Sequence, residues 1–321
     1  MPLLNKYLTA DTAIKVLTSK SLRWSSPLIF NDAFDVQRDW VHLDEEEFVE
    51  ATIAILFEYL DNGREPTNAA ARHLLGIVRR QGDTFNRVVF AAFHRWVFQV
   101  AALEKLRGAE HELKQVWRNR VERMRILCLS DDPGISSMWA TYADSNAGVV
   151  LRLESSDARD SIWLGAEPVI YTDAPPRLPP ASVWVRTIME NGGAHDWDHY
   201  LREFQFVKQL QWQYEREYRV IAFQKAEEEG HFSEWRFFTE DVREIVLGPR
   251  IAWQHEATIR MLWRLGYSHA SLRRARVDTT ARTMVLDDAG EPDDTMAEII
   301  NSALTRIHDA ISEQAIRSGD G

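Results

Sequence analysis

Two glutamates, one residue apart at the start of an apolar run, are the first candidates for chemistry. Glu215 and Glu217 belong to the segment Gln211–Phe223, in which Val220–Phe223 is continuously apolar. Such a run is typical of a strand buried on both faces. If the strand begins at or before Tyr214, both carboxylates lie on one face, because side chains alternate along a strand. Two carboxylates there are costly unless cations, hydrogen bonds or a ligand compensate them.

Neighbouring basic residues offer a structural explanation for the same pattern. Arg216 and Arg219 could neutralise the two carboxylates as an ion-pair cluster. Lys208 is expected on a helix spanning residues 196–210, where its ammonium could reach a phosphate or simply be solvated. From the residues alone, a catalytic and a structural interpretation of the acidic pair both stay open.

A second acidic segment precedes a long helical region. Asn31, Asp32 and Asp35 lie in a turn that two phenylalanines flank. They could contact a substrate or position Arg23. Alternatively, Asn and Asp hold such a turn through bonds from their side chains to the backbone.

Other chemically suggestive residues do not establish a site. His195 and His199 are four apart on a predicted helix, which suits metal ligands, but residue types without geometry do not define a metal site. We therefore assign no metal. Cys128 lies in an apolar strand and is expected in the core rather than as a nucleophile.

Residues 40–124 are predicted to form a helical insertion. Asp44 with Glu47 three residues later resembles a capping box and predicts a helix that ends at Asn62-Gly63. A second helix is expected near residues 68–80, and a third from Asp83, with a break at Gly108. Val89 and Phe93 belong to the apolar stripe predicted for that third helix.

Short strand-like segments flank this insertion. They are Leu22–Ser25, Arg125–Ser130, Val149–Leu153, Val169–Tyr171, Phe232–Phe238, Glu244–Leu247 and an edge-like strand at Ser271–Val277. The charged turn Glu227–Gly230 suggests a hairpin. The pattern predicts an α+β fold, with a mixed, mainly antiparallel sheet flanked by helices. We expect a single domain over residues 1–290, followed by a C-terminal amphipathic helix and tail over residues 291–321.

The composition limits the class of protein. The chain has 321 residues, of which 45% are hydrophobic and 27% charged, as in ordinary globular proteins. The net charge of −11 argues against a general binder of phosphate backbones. One cysteine excludes an intramolecular disulfide. The N-terminus does not resemble a signal peptide, and no apolar run approaches the roughly 20 residues that span a bilayer. We expect a cytoplasmic protein without a membrane partner.

Five short motifs occur in an order that is known from one bacterial family. They are Phe30-Asn31-Asp32-x-Phe34-Asp35, Cys128-x-Ser130, Met138-Trp139-x-x-Tyr142-Ala143 followed by Gly148, Lys208-x-x-x-Trp212-x-Tyr214-Glu215-x-Glu217-Tyr218-Arg219, and Ile245-Val246-Leu247-Gly248. Together they resemble the bacterial domain-of-unknown-function family 2971 over roughly residues 5–250. One departure is Ala33, where that family usually has proline. The family name implies no activity.

The chain also resembles ADP-ribosyltransferase folds in the order of its polar residues. Arg23 and Ser25 come early, Tyr142 lies in the middle, and Glu215-x-Glu217 comes late. A helix followed by a short strand precedes these residues, as in that class. The resemblance implies an enzyme that uses NAD as its substrate, in a bacterial toxin or a phage-defence effector.

The resemblance also implies roles for individual residues. Glu217 would hold a ribose hydroxyl and stabilise the positive charge that develops when nicotinamide leaves. Glu215 would take a proton from the acceptor, helped by a pKa that its neighbour's charge raises. The remaining roles are stacking on nicotinamide or adenine for Trp139, Tyr142 or Tyr214, gripping of the pyrophosphate for Arg23 or Arg219, and substrate contacts for Ser25, Asn31, Asp32 and Asp35.

Two other functions compete with this one. A non-enzymatic module could sense a nucleotide, another small molecule or a partner, with the acidic pair as a ligand clamp. A nuclease-like effector could bind magnesium through Asp32, Asp35, Glu215 and Glu217, which would then have to converge at metal-binding distances.

Overall fold

The structure is a computed structural model that describes residues 3–36, 44–174, 179–190 and 204–318. The chain divides into two compact units. The sheet unit comprises Met1–Phe30, Met124–Tyr171 and Lys208–Gly321, and the helical unit comprises Asn31–Arg123 and Thr172–Val207. The helical unit thus includes residues 172–207 in addition to the insertion expected at residues 40–124. The expected single domain over residues 1–290 stays a prediction.

The described strands, β1 to β12, follow one another in chain order. They are β1 Leu4–Leu8, β2 Ser21–Ser25, β3 Met124–Ser130, β4 Val149–Leu153, β5 Glu167–Pro168, β6 Ile170–Tyr171, β7 Val207–Lys208, β8 Glu217–Phe223, β9 Phe232–Arg236, β10 Val242–Leu247, β11 Ser271–Asp278 and β12 Thr283–Asp288. The helices are α1 Ala10–Ser19, α2 Glu45–Asp61, α3 Ala69–Gln81, α4 Arg87–Arg123, α5 Ser136–Tyr142, α6 Ala181–Met189, α7 Trp253–Gly266 and α8 Asp294–Ser318.

The main sheet runs in the order β12-β11-β10-β4-β1-β3-β2-β9, with β8 paired to β3 and β5 paired to β8. Among the described pairs of this sheet, β10 and β11 run parallel and the others antiparallel. This confirms the predicted α+β class and the mixed, mainly antiparallel sheet.

The sheet divides at β3. One edge of β3 pairs with β8 along its whole length, from Met124 opposite Phe223 to Ser130 opposite Glu217. β1 joins β3 only where Asn5 lies opposite Ser130, and β2 joins it only where Ser25 lies opposite Ile126. We call the interval of β3 between these two junctions, together with the adjoining parts of β1 and β2, the fork.

Apolar side chains cover both faces of the central strands. Leu4, Leu129 and Leu151 belong to the largest buried cluster, which also contains residues of α1 and α7. Tyr7, Trp139, Val150 and Val246 form part of a second cluster that includes residues of α5. α1 forms because Thr9 caps it by accepting from the Thr12 amide and because its apolar residues fall on one buried face.

The helical unit confirms most of the predicted helices. Asp44 caps α2 by accepting from the Glu47 amide, as the capping pattern predicted, and Asn62 ends the helix. The break predicted at Gly108 is wrong, because α4 runs without interruption through that position. A glycine inside a helix costs only about 1 kcal/mol relative to alanine, which a helix of this length tolerates.

The buried face of α4 also differs from the predicted stripe. Val89 and Phe93, predicted on the stripe, are 64% and 56% exposed, whereas Trp117 and Val121, which continue the same apolar pattern, are buried. Within the helical unit, Ile55, Leu56, Tyr59, Trp184 and Met189 contribute to one buried cluster.

Three other expectations fail because of strand pairing. The turn Glu227–Gly230 does not close a hairpin, since β9 pairs with β2 rather than with β8. β11 is not an edge strand, because β12 pairs along its outer side. The end of the helix expected over residues 196–210 is replaced by β7 and a 3₁₀ helix at Leu210–Glu215.

The predicted C-terminal helix is present as α8. It buries Met296 and Ile300 in a small cluster with Ala257 of α7. None of the helices within the described ranges combines the length and apolar character needed to cross a membrane.

Candidate functional site

The two predicted glutamates meet through a turn rather than along a strand. β8 begins at Glu217, and Glu215 is the last residue of the 3₁₀ helix Leu210–Glu215. The condition for both carboxylates to lie on one strand face, a strand that begins at or before Tyr214, is therefore not met. Arg216 between the two has φ 47°, in the left-handed region, which a tight turn requires. Ser130 Oγ holds the turn by donating to the Glu215 carbonyl over 2.7 Å.

Lys208 links the two carboxylates. Its Nζ lies 2.5 Å from Glu215 Oε2 and 2.9 Å from Glu217 Oε2. The three side chains are nearly enclosed, with Glu215 3%, Glu217 4% and Lys208 7% exposed. The expectation of a solvated or phosphate-reaching lysine on a helix is thus wrong, since Lys208 lies on β7 and is buried against both acids.

One of the two arginines expected to neutralise the glutamates does so. Arg219 Nε donates to Glu217 Oε1 over 2.8 Å, and its Nη2 lies 3.2 Å from Glu217 Oε2. Arg219 is fully buried, so the pyrophosphate-gripping role expected for it does not fit this position. Arg216 instead pairs with Asp131 at 2.7 Å and Asp132 at 2.9 Å, on the surface.

Two tyrosines complete the hydrogen bonding of this cluster. Tyr142 at the end of α5 donates its hydroxyl to Glu215 Oε1 over 2.7 Å. The Tyr171 hydroxyl accepts from the backbone amide of Glu217, also over 2.7 Å. Burial, with the nearby carboxylates, raises the pKa of Tyr171 to about 12, so the hydroxyl stays neutral. We call Lys208, Glu215, Glu217, Arg219, Tyr142 and Tyr171 the glutamate cluster.

Opposing effects set the charge of Glu217. Burial alone would raise its pKa, but the neighbouring Arg219 and Lys208 outweigh it and lower the pKa to about 2. Glu217 is therefore ionised at neutral pH. Burial and the charge of Glu217 raise the pKa of the Cys128 thiol, which keeps it protonated and unsuited to act as a nucleophile.

The aromatic residues expected to stack on a ligand lie in different surroundings. Trp139 is fully buried, meets Tyr7 edge to face, and donates its indole N–H to the Pro133 carbonyl. Its position suits packing rather than ligand stacking. Tyr214 is 40% exposed, and its ring centre lies 6.1 Å from that of Trp212. Lys208 Nζ lies 5.0 Å from the Trp212 ring centre, which ties this aromatic pair to the glutamate cluster.

Arg23 and Ser25 lie on β2, beside the fork. Arg23 is exposed, and its guanidinium carbon lies 4.2 Å from the centre of the Phe232 ring. Ser25 is half-buried where β2 pairs with both β3 and β9. The structure thus places both predicted residues on one strand of the sheet unit.

Asn31, Asp32 and Asp35 belong to the helical unit. Asp32 Oδ1 accepts from the Phe34 amide over 2.9 Å, and the Asp35 amide donates to the Asp32 carbonyl. Both aspartates are buried and Asn31 is exposed. These bonds are those of the turn that the sequence offered as the alternative to substrate contact.

Sequence reasoning missed Lys6 and Tyr171. Lys6 Nζ donates to the Cys128 carbonyl over 2.8 Å. Its one signal was a lysine in a short strand that begins and ends with leucine. Tyr171 gave no comparable signal, because its contact depends on how its strand approaches β8.

A metal site finds no support in the described ranges. They contain no group of three or more His, Cys, Asp or Glu side chains that could hold a metal ion. His195 and His199 lie outside the described residues.

Comparison with known proteins connects this region to one family. Residues 138–220 match the model of a family described as Protein of unknown function (DUF2971). The matched segment contains Tyr142, Lys208, Glu215 and Glu217, and it supports the resemblance predicted from the motifs. No curated protein and no solved structure was found to match the chain. The ADP-ribosyltransferase resemblance stays a prediction.

Proposed function

We propose that the chain is an ADP-ribosyltransferase-like enzyme that uses NAD, with Glu217 as the central carboxylate. The observation that supports this most is the convergence of Glu215 and Glu217 on a single ammonium, that of Lys208. Two carboxylates that together hold an ammonium supply the negative charge needed to stabilise a ribosyl cation.

The proposed reaction begins with loss of nicotinamide. The bond between the ribose C1′ and the nicotinamide nitrogen breaks, and nicotinamide leaves with the electron pair. Glu217, ionised at neutral pH, stabilises the resulting positive charge electrostatically and exchanges no proton. The acceptor's nucleophilic atom then bonds to C1′, and its proton passes to Glu215, which Tyr142 orients through its hydrogen bond.

This reaction requires a change at Lys208. Both carboxylates are almost completely covered, and Lys208 occupies the position between them. The nicotinamide ring of NAD carries a positive charge, so it can replace the ammonium without leaving the acids unpaired. The described arrangement would then be the resting form of the site. Whether this activity serves a toxin or a phage-defence effector depends on which acceptor molecule receives the ADP-ribosyl group.

A second candidate is a non-enzymatic module that binds a nucleotide or another small molecule. The observation that favours it is the complete pairing of Glu217, whose two oxygens accept from Arg219 and Lys208. Such a closed ion-pair network can serve as a ligand clamp without chemistry. The magnesium-dependent nuclease gains no support from the described residues, which provide no metal-binding cluster.

The test is nicotinamide release from NAD, followed by chromatography, for the wild type and for Glu217→Gln and Glu215→Gln. We expect release by the wild type and at least a hundredfold loss in Glu217→Gln. Glu256→Gln is the matched control, since Glu256 is also buried and ion-paired, 2.9 Å from Arg260 Nε in α7.

The outcomes separate the candidates. Loss of release in Glu217→Gln but not in Glu256→Gln supports the enzyme. NAD binding by the wild type without release favours the non-enzymatic module. Release that is equal in the wild type and Glu217→Gln means that Glu217 has no part in the reaction.

A further inference from the structure

Lys208 is held differently from the two carboxylates that it joins. Glu217 begins β8, which pairs with β3 along its whole length, and the Glu215 carbonyl accepts from Ser130 Oγ of β3. β7, which carries Lys208, has two residues and pairs with β6 in a separate two-stranded sheet, which we call the ribbon. The anions are therefore fixed on the main sheet, whereas the cation between them belongs to the ribbon.

The elements that carry and follow Lys208 lie at the surface. Ile170 of the ribbon is exposed, and so are Leu210 and Tyr214 of the 3₁₀ helix that begins two residues after Lys208. The Lys208 side chain, by contrast, is buried against the two glutamates. A surface element thus delivers one ammonium to two covered carboxylates, and a displacement of that element would uncover them.

The charges of the glutamate cluster call for one cation besides Arg219. Arg219 pairs with Glu217 from within β8 and is fully buried, so it stays as a counter-charge when Lys208 is removed. Two carboxylates with one guanidinium then keep one negative charge. A buried charge of this kind is costly until another cation balances it.

Oxygens and an aromatic ring surround the Lys208 ammonium. Its Nζ lies 2.5 Å from Glu215 Oε2, 2.9 Å from Glu217 Oε2 and 5.0 Å from the centre of the Trp212 ring. Carboxylates and the face of a tryptophan are groups that attract organic cations. A primary ammonium has N–H donors for both carboxylates, whereas a quaternary ammonium has none. The surroundings therefore suit a primary amine.

We propose that the glutamate cluster is a binding site for a primary alkylammonium ion, and that Lys208 is its tethered occupant. Displacement of the ribbon withdraws Lys208 Nζ and admits the amine, while Glu215 and Glu217 stay in place on the main sheet. The site follows from the contacts of Lys208 and does not depend on NAD. Its regulatory consequence rests on the proposed function: an amine between the carboxylates competes with the nicotinamide ring and inhibits cleavage of NAD.

Lys208→Ala tests the proposal, because it removes both the ammonium and the stem that carries it. Thermal unfolding of the full chain is followed in n-butylammonium chloride, which matches a lysine side chain, and in tetramethylammonium chloride at the same ionic strength. We expect butylammonium to raise the unfolding midpoint of Lys208→Ala by several degrees in a saturable manner, since a ligand that binds the folded state stabilises it. Tetramethylammonium should not, because it has no N–H donor. The wild type should need a butylammonium concentration at least about tenfold higher, because its own lysine competes from within the chain.

Two further variants show whether the carboxylates cause the response. Lys6→Ala is the matched control, because the half-buried Lys6 donates to the Cys128 carbonyl in its described hydrogen bond. Butylammonium should leave its midpoint unchanged. Glu215→Gln added to Lys208→Ala should abolish the response, because one of the two carboxylates is gone. Equal responses of Lys208→Ala and Lys6→Ala would mean that the amine only fills a cavity, and would overturn the proposal.

Folding of Lys208→Ala is itself part of the test. Since Arg219 keeps Glu217 paired, the variant should fold and become less stable only until an amine binds. Failure to fold in either salt would show that Lys208 is a structural counter-ion, and the proposal would be wrong. A folded Lys208→Ala protein that butylammonium does not stabilise would overturn it as well.

The result is distinguishable from that of the proposed function. If butylammonium stabilises Lys208→Ala but neither this variant nor the wild type releases nicotinamide from NAD, the ammonium site stands and the enzymatic proposal fails. If NAD is cleaved through Glu217, and N1-methylnicotinamide but not butylammonium stabilises Lys208→Ala, the enzyme stands and the site does not take primary amines.

Discussion

Glu217 shows how a buried carboxylate can stay charged. Removing a carboxylate from water costs several kcal/mol. At Glu217 this cost is offset by the ion pairs with the Arg219 guanidinium and the Lys208 ammonium, and the backbone of Glu217 is held in the pairing of β8 with β3. Removing Arg219 or Lys208 leaves Glu217 buried with less compensating positive charge. The glutamate cluster is therefore best regarded as one electrostatic unit.

The low pKa of Glu217 predicts a specific loss of stability in acid. Its pKa falls from 4.5 to about 2 in the folded protein, so between these values the unfolded chain binds more protons. The stabilisation that ionised Glu217 provides is complete above about pH 5 and is lost as the pH falls towards 2. At pH 3 we expect this group to account for about 2 kcal/mol of the loss in unfolding free energy.

The measurement is urea unfolding of the wild type and of Glu217→Gln at pH 7 and pH 3. The variant should be less stable at pH 7 by about 3 kcal/mol or more, because Arg219 loses its carboxylate partner and Lys208 keeps only Glu215. It should also lose less stability than the wild type between the two pH values. Equal pH dependence in both proteins would contradict a depressed pKa at this residue.

At this scale, the sequence identified the carboxylates of the glutamate cluster but misplaced its cations. Glu215, Glu217 and Tyr142, all predicted as site residues, lie in one cluster, and its role as a site stays a prediction. Lys208 was assigned to the wrong element, because a two-residue strand leaves no periodic signal. Arg216 and Arg219 are the same residue type, so the sequence did not show which of them would pair with a glutamate. The left-handed backbone at Arg216 accompanies its pairing with Asp131 and Asp132, whereas Arg219 pairs with Glu217.

Among the elements, two glycines allow neighbouring backbone segments to approach closely. Gly148 donates its amide to Ala143 after α5, and Gly248 after β10 donates to the Gly148 carbonyl. A methyl group at Gly148 would overlap the Leu8 carbonyl oxygen and the Ala143 backbone. The glycines in two of the sequence motifs are thus required for packing, independently of any ligand.

Gly148→Ala should destabilise the sheet unit. The added carbon meets backbone atoms of β1 and of the segment after α5, which can move only if those elements shift. We expect a loss of about 2 kcal/mol or more in unfolding free energy, measured by urea unfolding. Gly266→Ala at the end of α7 is the control, because its methyl group would meet no atom within 4 Å. A similar loss in both variants would show that close backbone approach is not the cause.

Gly108→Ala should have the opposite effect on the helical unit. Gly108 lies inside α4, is exposed, and has open space where a Cβ would lie. Alanine at such a position stabilises a helix by about 0.5–1 kcal/mol. Circular dichroism during thermal unfolding measures the change. A destabilised variant would indicate that α4 does not continue through residue 108, as the sequence first suggested.

Elements that a local apolar pattern or a capping residue marks were predicted well. Elements whose formation depends on which strands pair were not. Val149–Leu153 and the cap at Asp44 were predicted correctly from apolar pattern and capping chemistry. The strand β12 was missed, and the hairpin at Glu227–Gly230 was predicted where none forms. Both errors arise because strand partners are chosen by tertiary packing, which local pattern does not encode.

On the scale of the whole molecule, each unit contains a buried core of its own. The sheet unit buries leucines, valines and aromatic residues on both sides of its sheet, including Leu151 and Trp139. The helical unit buries a separate cluster that includes Leu56, Tyr59 and Trp184. A unit that buries its own apolar core can unfold as a cooperative unit.

We therefore expect two transitions in differential scanning calorimetry of the full chain. Gly148→Ala should lower the midpoint of one transition by several degrees and leave the other unchanged, since a change of 1 kcal/mol shifts the midpoint by about 2–4 °C in a domain of this size. Gly108→Ala should raise the midpoint of the other transition. The pair of variants thus assigns each transition to a unit. A single transition that moves with both substitutions would show instead that the sheet unit and the helical unit unfold together, and the two cores would then have to be treated as one cooperative structure.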